Sequence, residues 1–273
     1  MLSNLRIGSR LIAGFLIVAA MAVIVGLVGI NSQASINEGS QALYEKELLG
    51  LSNIKEANIN LIYAGRAIRN IILAPSQEAR DKAKANFDES IAKLRKEYEE
   101  AKPRYYSEKG KEAIRQFDAI WDEYVKVANK AVALAMKQPI GAPGEATAYL
   151  FGDEFRTTVN KADDQLTALA KIKEDISAKR TADNNAIYEN SRNLMVGAMA
   201  LAMILGVLIG YIATRSITRP VNRVVDAAKK MAAGDFDFEL KSEAKDEVGE
   251  VIRSVGAIQQ SVQAMTADAK VLV

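Results

Sequence analysis

The 273-residue chain has no cysteine and no histidine. Without thiols it has neither a disulfide framework nor a thiol nucleophile. Without imidazole it has no Cys/His zinc site, no Ser-His-Asp triad and no phospho-accepting histidine. Aromatic residues are scarce, at 6%, and the five prolines are few enough to permit long uninterrupted helices. Neither sign of charge dominates. Lys plus Arg is 36 and Asp plus Glu is 34, a formal charge of +2, which is not the basic excess of a general nucleic-acid binder. No phosphate-binding glycine loop, metal-ligand cluster or nucleophile paired with a base is present either. The sequence is therefore expected to be no enzyme, to hold no cofactor or metal and to have no catalytic residue.

What the chain does have is two long apolar runs. Leu11 to Ile30 is strongly apolar, and no charge occurs from Leu11 to Asn37. Leu194 to Thr214 is uncharged and bracketed by Arg192 and Arg215. Each matches the ~20 helical residues that a hydrocarbon core requires. The first run exceeds the h-region of a cleaved signal peptide, and no small-residue cleavage site follows Ile30, so it reads as an uncleaved anchor. Arg6 and Arg10 precede the first run, and Arg215, Arg219 and Arg223 follow the second, with no nearby acid. The positive-inside rule then places both termini in the cytoplasm and residues 31–193 outside. In span two, Ala198, Ala202, Gly206 and Gly210 recur every four residues. They read either as a span–span seam in a dimer or as the ordinary Ala/Gly content of apolar helices.

Residues 31–193 carry 25 basic and 25 acidic side chains, and breakers at Pro75, Pro103 and Pro139–Gly144 cut them into four helical segments. The spacing predicts these seams: Leu51, Ile54, Asn58, Leu61, Gly65, Ile68, Ile72 in the first; Phe87, Ile91, Leu94, Tyr98, Ala101 in the second; Ile114, Phe117, Trp121, Tyr124, Ala128, Ala131, Ala135 in the third; Val159, Ala162, Leu166, Leu169, Ile176 in the fourth, with Ile172 slightly off phase. That is the pattern of a four-helix bundle. Segments one and four continue from the spans without a breaker. After span two come two amphipathic stretches at 4-3 spacing, Ile217, Val221, Val224, Ala228, Met231 and Val248, Val251, Val255, Ile258, Val262, Met265, separated by a connector from Gly234 to Leu240.

Arg219-Pro220 after a span, the Gly234-Asp235 connector and Asp246-Glu247-x-Gly249 in this order resemble a HAMP domain. The resemblance implies a parallel homodimeric coiled coil that relays transmembrane signals, with Pro220, Gly234, Asp235, Glu247 and Gly249 as relay residues and Phe236, Phe238 and Leu240 packing the connector. With a helical bundle ahead of it, the layout is similar to bacterial methyl-accepting chemotaxis receptors. Leu5-Arg6-Ile7-Gly8-Ser9-Arg10-Leu11 and Arg66-Ala67-Ile68-Arg69-Asn70 also look like that family. The expected organisation is a cytoplasmic N-terminus (1–10), transmembrane helices (11–30 and 194–214), a periplasmic four-helix sensor (31–193), a HAMP domain (215–267) and the start of a signalling region (268–273). The family's long signalling hairpin is not present in this sequence.

By this resemblance the chain sits in a bacterial inner membrane as a homodimer, and the fold class is all-α. Arginine forks match carboxylates, and Arg66 and Arg69 lie one helical turn apart. In the aspartate receptors that the chain resembles, arginines of helix one and a threonine-bearing stretch of helix four hold the ligand. That loose likeness implies Arg66, Arg69 and Asn70 of segment one, with Arg156, Thr157 and Thr158 of segment four, as the ligand residues. The alternative is that the arginines belong to solvated helix faces and that Arg69 and Asn70 are structural in this bundle family. The expected partners are an organic acid or amino acid, or a periplasmic binding protein, and membrane lipids. A chemotaxis kinase and adaptor join them if a signalling region is present. Two other functions share these modules: the input half of a sensor kinase or cyclase, and a membrane-anchored helical scaffold.

Overall fold

The computed structural model describes residues 6–142 and 144–271; Leu5, Pro143 and the end of the 268–273 segment lie outside them. Helix α1 spans Ile7–Ala42, a π-helical turn covers Leu43–Leu48, and α2 is Leu49–Leu73. Then come α3 (Gln77–Ala101), α4 (Glu108–Lys137), α5 (Glu145–Phe151), α6 (Asp153–Ala232) and α7 (Glu247–Val271). No strand occurs among the described residues, as the all-α expectation requires. The chain divides into two compact units, Ala34–Tyr188 and Met1–Gln33 with Glu189–Val273.

In the first unit the breakers act where the sequence places them. Ala74 is extended ahead of Pro75, as the clash between a proline ring and the preceding residue demands, so α2 ends at Leu73. Ser76 then caps α3, its hydroxyl accepting from the Ala79 amide at 3.2 Å. A 3-10 turn at Lys102–Arg104 carries Pro103. Ser107 caps α4 by accepting from the Gly110 amide at 3.1 Å. The turn after α4 uses Gly141 at φ 75, a left-handed conformation costly for other residues. One element is additional: the short helix α5 follows directly on the Pro139–Gly144 breaker, and Gly152 separates it from α6.

The seam of α2 differs from the expected one. The buried residues are Gly50, Ile54, Ala57, Asn60, Leu61, Ala64, Ala67, Ile68 and Ile71. Leu51, Asn58, Gly65 and Ile72 are each displaced by one position to the half-buried flank. Pattern reading favours large apolar side chains, whereas closely approaching helices place the smallest residues at the contact. A Cβ on Gly50 would stand 2.9 Å from Cε of Lys173 and 3.3 Å from Cβ of Arg104. In α3 the same shift puts Ser90 inside and leaves Ile91 half-buried. Helix α4 keeps its expected seam, apart from a half-buried Trp121. Phe117 is fully buried against Tyr98, ring centroids 4.5 Å apart, and the Tyr98 hydroxyl donates to Asp118 at 2.9 Å.

At one end of this unit, two charges occupy seam positions. Glu47, in the π-helical turn, and Lys173 are both fully buried, with Nζ 2.8 Å from Oε2. Tyr106 donates to the other Glu47 oxygen at 2.5 Å and Arg180 reaches it at 3.1 Å. Lys173 also donates to the Arg104 carbonyl and lies over the Tyr105 and Tyr106 rings. Burial alone would raise the Glu47 carboxyl. The hydrogen bonds from Lys173 and Tyr106, with the Lys173 charge, more than offset that and hold it below the usual carboxylate range. Burial pushes the Lys173 ammonium down, against the opposing pull of Glu47.

In the second unit the two apolar stretches are helical throughout and long enough to cross a membrane. They pack antiparallel. A Cβ on Gly14 would meet Ile209 Cγ2 at 2.6 Å, one on Gly29 would meet Met195 at 3.3 Å, and the Ser32 and Ser191 hydroxyls are 2.6 Å apart. Ala198 and Ala202 are half-buried, but space is open where a Cβ on Gly206 or Gly210 would project.

Replacing Lys173 with Met strands the Glu47 carboxylate in the core. The Lys173→Met chain is expected to lose about 3 kcal/mol. Adding Glu47→Gln to that variant is expected to recover part of the loss, read as the denaturation midpoint of the detergent-solubilised chain. Because the folded Glu47 pKa is depressed, its contribution is complete above the ordinary carboxylate range and disappears as pH falls through the folded value.

Candidate functional site

Two recesses in the bundle unit meet the expected ligand residues. The first is a cavity of about 410 Å³ between α2, α4, α5 and the start of α6, walled by Leu61, Ile68, Ile72, Leu150, Phe155 and Val159. Arg69 supplies its cation, and Thr147 and Tyr124 its other polar groups. The second is a groove of about 370 Å³ between α2 and α3, where Arg66, Asn70 and Lys93 face Glu56 and Glu89. Its walls are mostly polar, and the guanidinium of Arg66 lies 5.1 Å from the centre of the Tyr63 ring.

Arg66 and Arg69, three residues apart, therefore line different recesses. Asn70 goes with Arg66. Phe155 and Val159 bring α6 to the cavity of Arg69, yet Arg156 and Thr157 between them are exposed and do not line it. Thr158 is buried, its hydroxyl donating to Glu123 at 3.4 Å. Within the chain the six expected residues thus do not form one constellation. Sequence reasoning missed the lining from α5, although the cluster Tyr149, Leu150, Phe151 and Phe155 just after a breaker was its visible signal. Tyr149 stacks edge-on with Phe155 at 5.9 Å and carries Lys130 over its ring at 4.3 Å.

The expected relay residues have distinct geometries. Pro220 does not open a helix; it lies inside α6, which runs on through it. A proline there removes one main-chain hydrogen bond without ending the helix. Gly234, at φ 81, terminates α6: its amide donates to the Met231 carbonyl and that of Asp235 to the Lys230 carbonyl, both at 3.0 Å, a left-handed helix stop. The Asp235 carboxylate accepts from the Asp237 amide at 3.1 Å and turns the connector. The connector then crosses α7 so closely that a Cβ on Gly249 would collide with the Ala244 carbonyl, and one on Gly256 would stand 2.7 Å from that of Leu240. Gln259 holds it down, donating to the carbonyls of Phe236 and Phe238 at 2.6 Å each.

Asp246, rather than Glu247, caps α7, accepting from the Gly249 amide at 2.9 Å. Its second oxygen pairs with Arg10 at 2.6 Å. Glu247 instead accepts from the Ile7 amide at 2.9 Å and so caps the beginning of α1. The two acids thus join the N-terminal end of α1 to the start of α7. Burial would raise the Asp246 carboxyl, but the Gly249 amide and Arg10 outweigh it and hold it below its ordinary value. The Ile7 amide likewise lowers Glu247.

The seam of this small module is also partly shifted. Ala227, Leu240, Val248 and Ile252 form its core. Val221, Val251, Ile258 and Met265, four of the expected seam residues, are exposed.

Comparison with protein families matches residues 4–188 to the four helix bundle sensory module for signal transduction and residues 212–264 to the HAMP domain. The chain belongs to the family of four-helix-bundle sensory modules. A sensory bundle followed by HAMP is the architecture of a chemoreceptor, and it makes this chain a signal-transduction receptor. No curated protein matches the chain.

Asp246→Ala is expected to fray the first turn of α7, a cap loss of about 1 kcal/mol. Hydrogen exchange at the Val248 to Glu250 amides reads it as lowered protection. In the unaltered chain the same protection, complete at neutral pH, is expected to fall in acid as pH passes below the depressed Asp246 value.

Proposed function

We propose that the chain is the membrane-anchored input portion of a homodimeric bacterial chemoreceptor. Its bundle senses a small organic acid in the periplasm, and its HAMP module passes the change to a cytoplasmic kinase. One observation carries this reading: a sensory bundle is bracketed by two uncharged, membrane-length helical stretches, and the second leads into HAMP. The arginine flanks favour a cytoplasmic HAMP. A ligand biases such a receptor by its difference in affinity between two packings of the bundle.

The homodimer is supported by the exposed stripe Val251, Ile258 and Met265 on α7, at seven-residue spacing. Such a stripe is the seam of a parallel coiled coil awaiting a second copy. The Arg10–Asp246 and Ile7–Glu247 contacts give span one a direct hold on the relay module. A displacement of either apolar helix then alters the cap of α7, which sets how that helix packs.

The absence of native cysteine permits a direct test. A Lys96→Cys chain in intact cells of a Gram-negative host is expected to react with a membrane-impermeant maleimide, and a Lys229→Cys chain only after lysis. Labelling of both on the same side overturns the topology. Ile258→Cys is expected to yield a disulfide-linked dimer under mild oxidation in membranes. A monomer under those conditions overturns the homodimer.

A further inference from the structure

The cavity beside Arg69 is chemically selective. It carries one cation and no carboxylate among its lining residues. The Arg69 guanidinium makes no ion pair with another described residue. Tyr124, only 2% exposed, lines the same cavity, and its hydroxyl has no hydrogen-bond partner among the described residues. The ring is buried, but the hydroxyl is not among the enclosed unpaired polar atoms; it keeps access to the open space beside it and is available to a polar atom placed there. The remaining walls are aliphatic and aromatic. At the mouth, Leu73 and Phe151 are 77% and 75% exposed, more apolar surface than the bundle needs for its own packing. The volume lies within the range of small-molecule sites.

We infer that this cavity binds a monocarboxylate with an apolar body, either arylalkanoate or medium-chain alkanoate. The inference deepens the receptor reading above and rests on it. The carboxylate pairs with Arg69, whose fork offers two parallel donors. The body lies against Leu61, Ile68 and Phe155. The phenol of Tyr124 and the hydroxyl of Thr147 serve whatever polar atom the ligand carries inward. A second carboxylate or an ammonium group would face hydrocarbon with no counter-charge, so dicarboxylates and amino acids are disfavoured. The groove on the other side of α2 lacks this selectivity, because Glu56 and Glu89 already balance Arg66 and Lys93.

The test is calorimetric titration of the full chain in lipid nanodiscs with phenylacetate and octanoate, set against succinate, aspartate and 2-phenylethanol. At least one monocarboxylate is expected to bind about tenfold or more tightly than each of the three comparators. Arg69→Gln is expected to remove most of that advantage. Gly65→Leu is expected to fill the cavity and abolish binding. A Cβ there meets nothing nearer than the Arg69 guanidinium at 4.0 Å, so its helical circular dichroism and unfolding midpoint should be retained.

Tighter binding of succinate or aspartate overturns the proposal. So does loss of binding in Arg66→Gln with Arg69→Gln unaffected, which moves the site to the α2–α3 groove. If no monocarboxylate binds and Leu73→Lys converts a dimer to a monomer in sedimentation, a second copy covers the mouth and the proposal falls. The absence of any binding overturns the assignment of this cavity alone, because the maleimide topology tests the receptor reading independently.

Discussion

A polypeptide in hydrocarbon has no water to satisfy its amides and carbonyls, and an uncharged run of about 20 residues meets that condition on its own only as an α-helix. The runs at Leu11–Ile30 and Leu194–Thr214 are long and apolar enough to meet this condition twice. Neither run carries a breaker at its bundle-side end. Helix α6 accordingly continues from Asp153 to Ala232, through the apolar stretch and through Pro220. The first run continues by α1 and the π-helical turn into α2. Helical continuity, rather than any single contact, thus carries the chain from the bundle through each apolar run without a break.

Within the bundle, the consequence of close packing is chemical as well as steric. Gly50, Ala57 and Ala64 hold the contact face of α2. The space above Gly50 is taken by the stem of Lys173, and its ammonium meets Glu47 in the π-helical turn. π-Helical turns are uncommon and concentrate at functional positions. Here the turn delivers a carboxylate to the seam, where Lys173, Tyr106 and Arg180 satisfy it. A buried ion pair of this kind adds little net stability over an apolar pair, but it strongly penalises arrangements that separate its members. It therefore fixes the register of α6 against the turn.

The small module after span two follows the same logic with backbone in place of charge. Its connector lies against α7 because Gly249 and Gly256 leave room for two carbonyls, and Gln259 pins two more. Asp246 and Glu247, adjacent in sequence, cap two different helices, one at the start of α7 and one at the start of α1. The apolar residues Val251, Ile258 and Met265 remain exposed on α7 at seven-residue spacing.

Local physics made much of this legible. Twenty uncharged residues, prolines between periodic segments, and a Gly-Asp connector before Asp-Glu-x-Gly each act through near neighbours, and the sequence alone determined the all-α class, both apolar helices, the breakers and the two modules. Lys173 was half visible. Its 4-3 phase with Leu166, Leu169 and Ile176 explains why Ile172 looked out of step, but a charge at a seam position is not credible until its partner is seen. Only the tertiary structure decided which of two adjacent residues faces the core, as with Ala57 over Asn58 or Ile252 over Val251, because that choice depends on how closely another helix approaches. It also separated Arg66 from Arg69. Three residues on a helix turn through about 300°, so the two side chains diverge by some 60°, and the helices flanking α2 on its two sides assign one to a charged groove with α3 and the other to an apolar cavity with α4, α5 and α6.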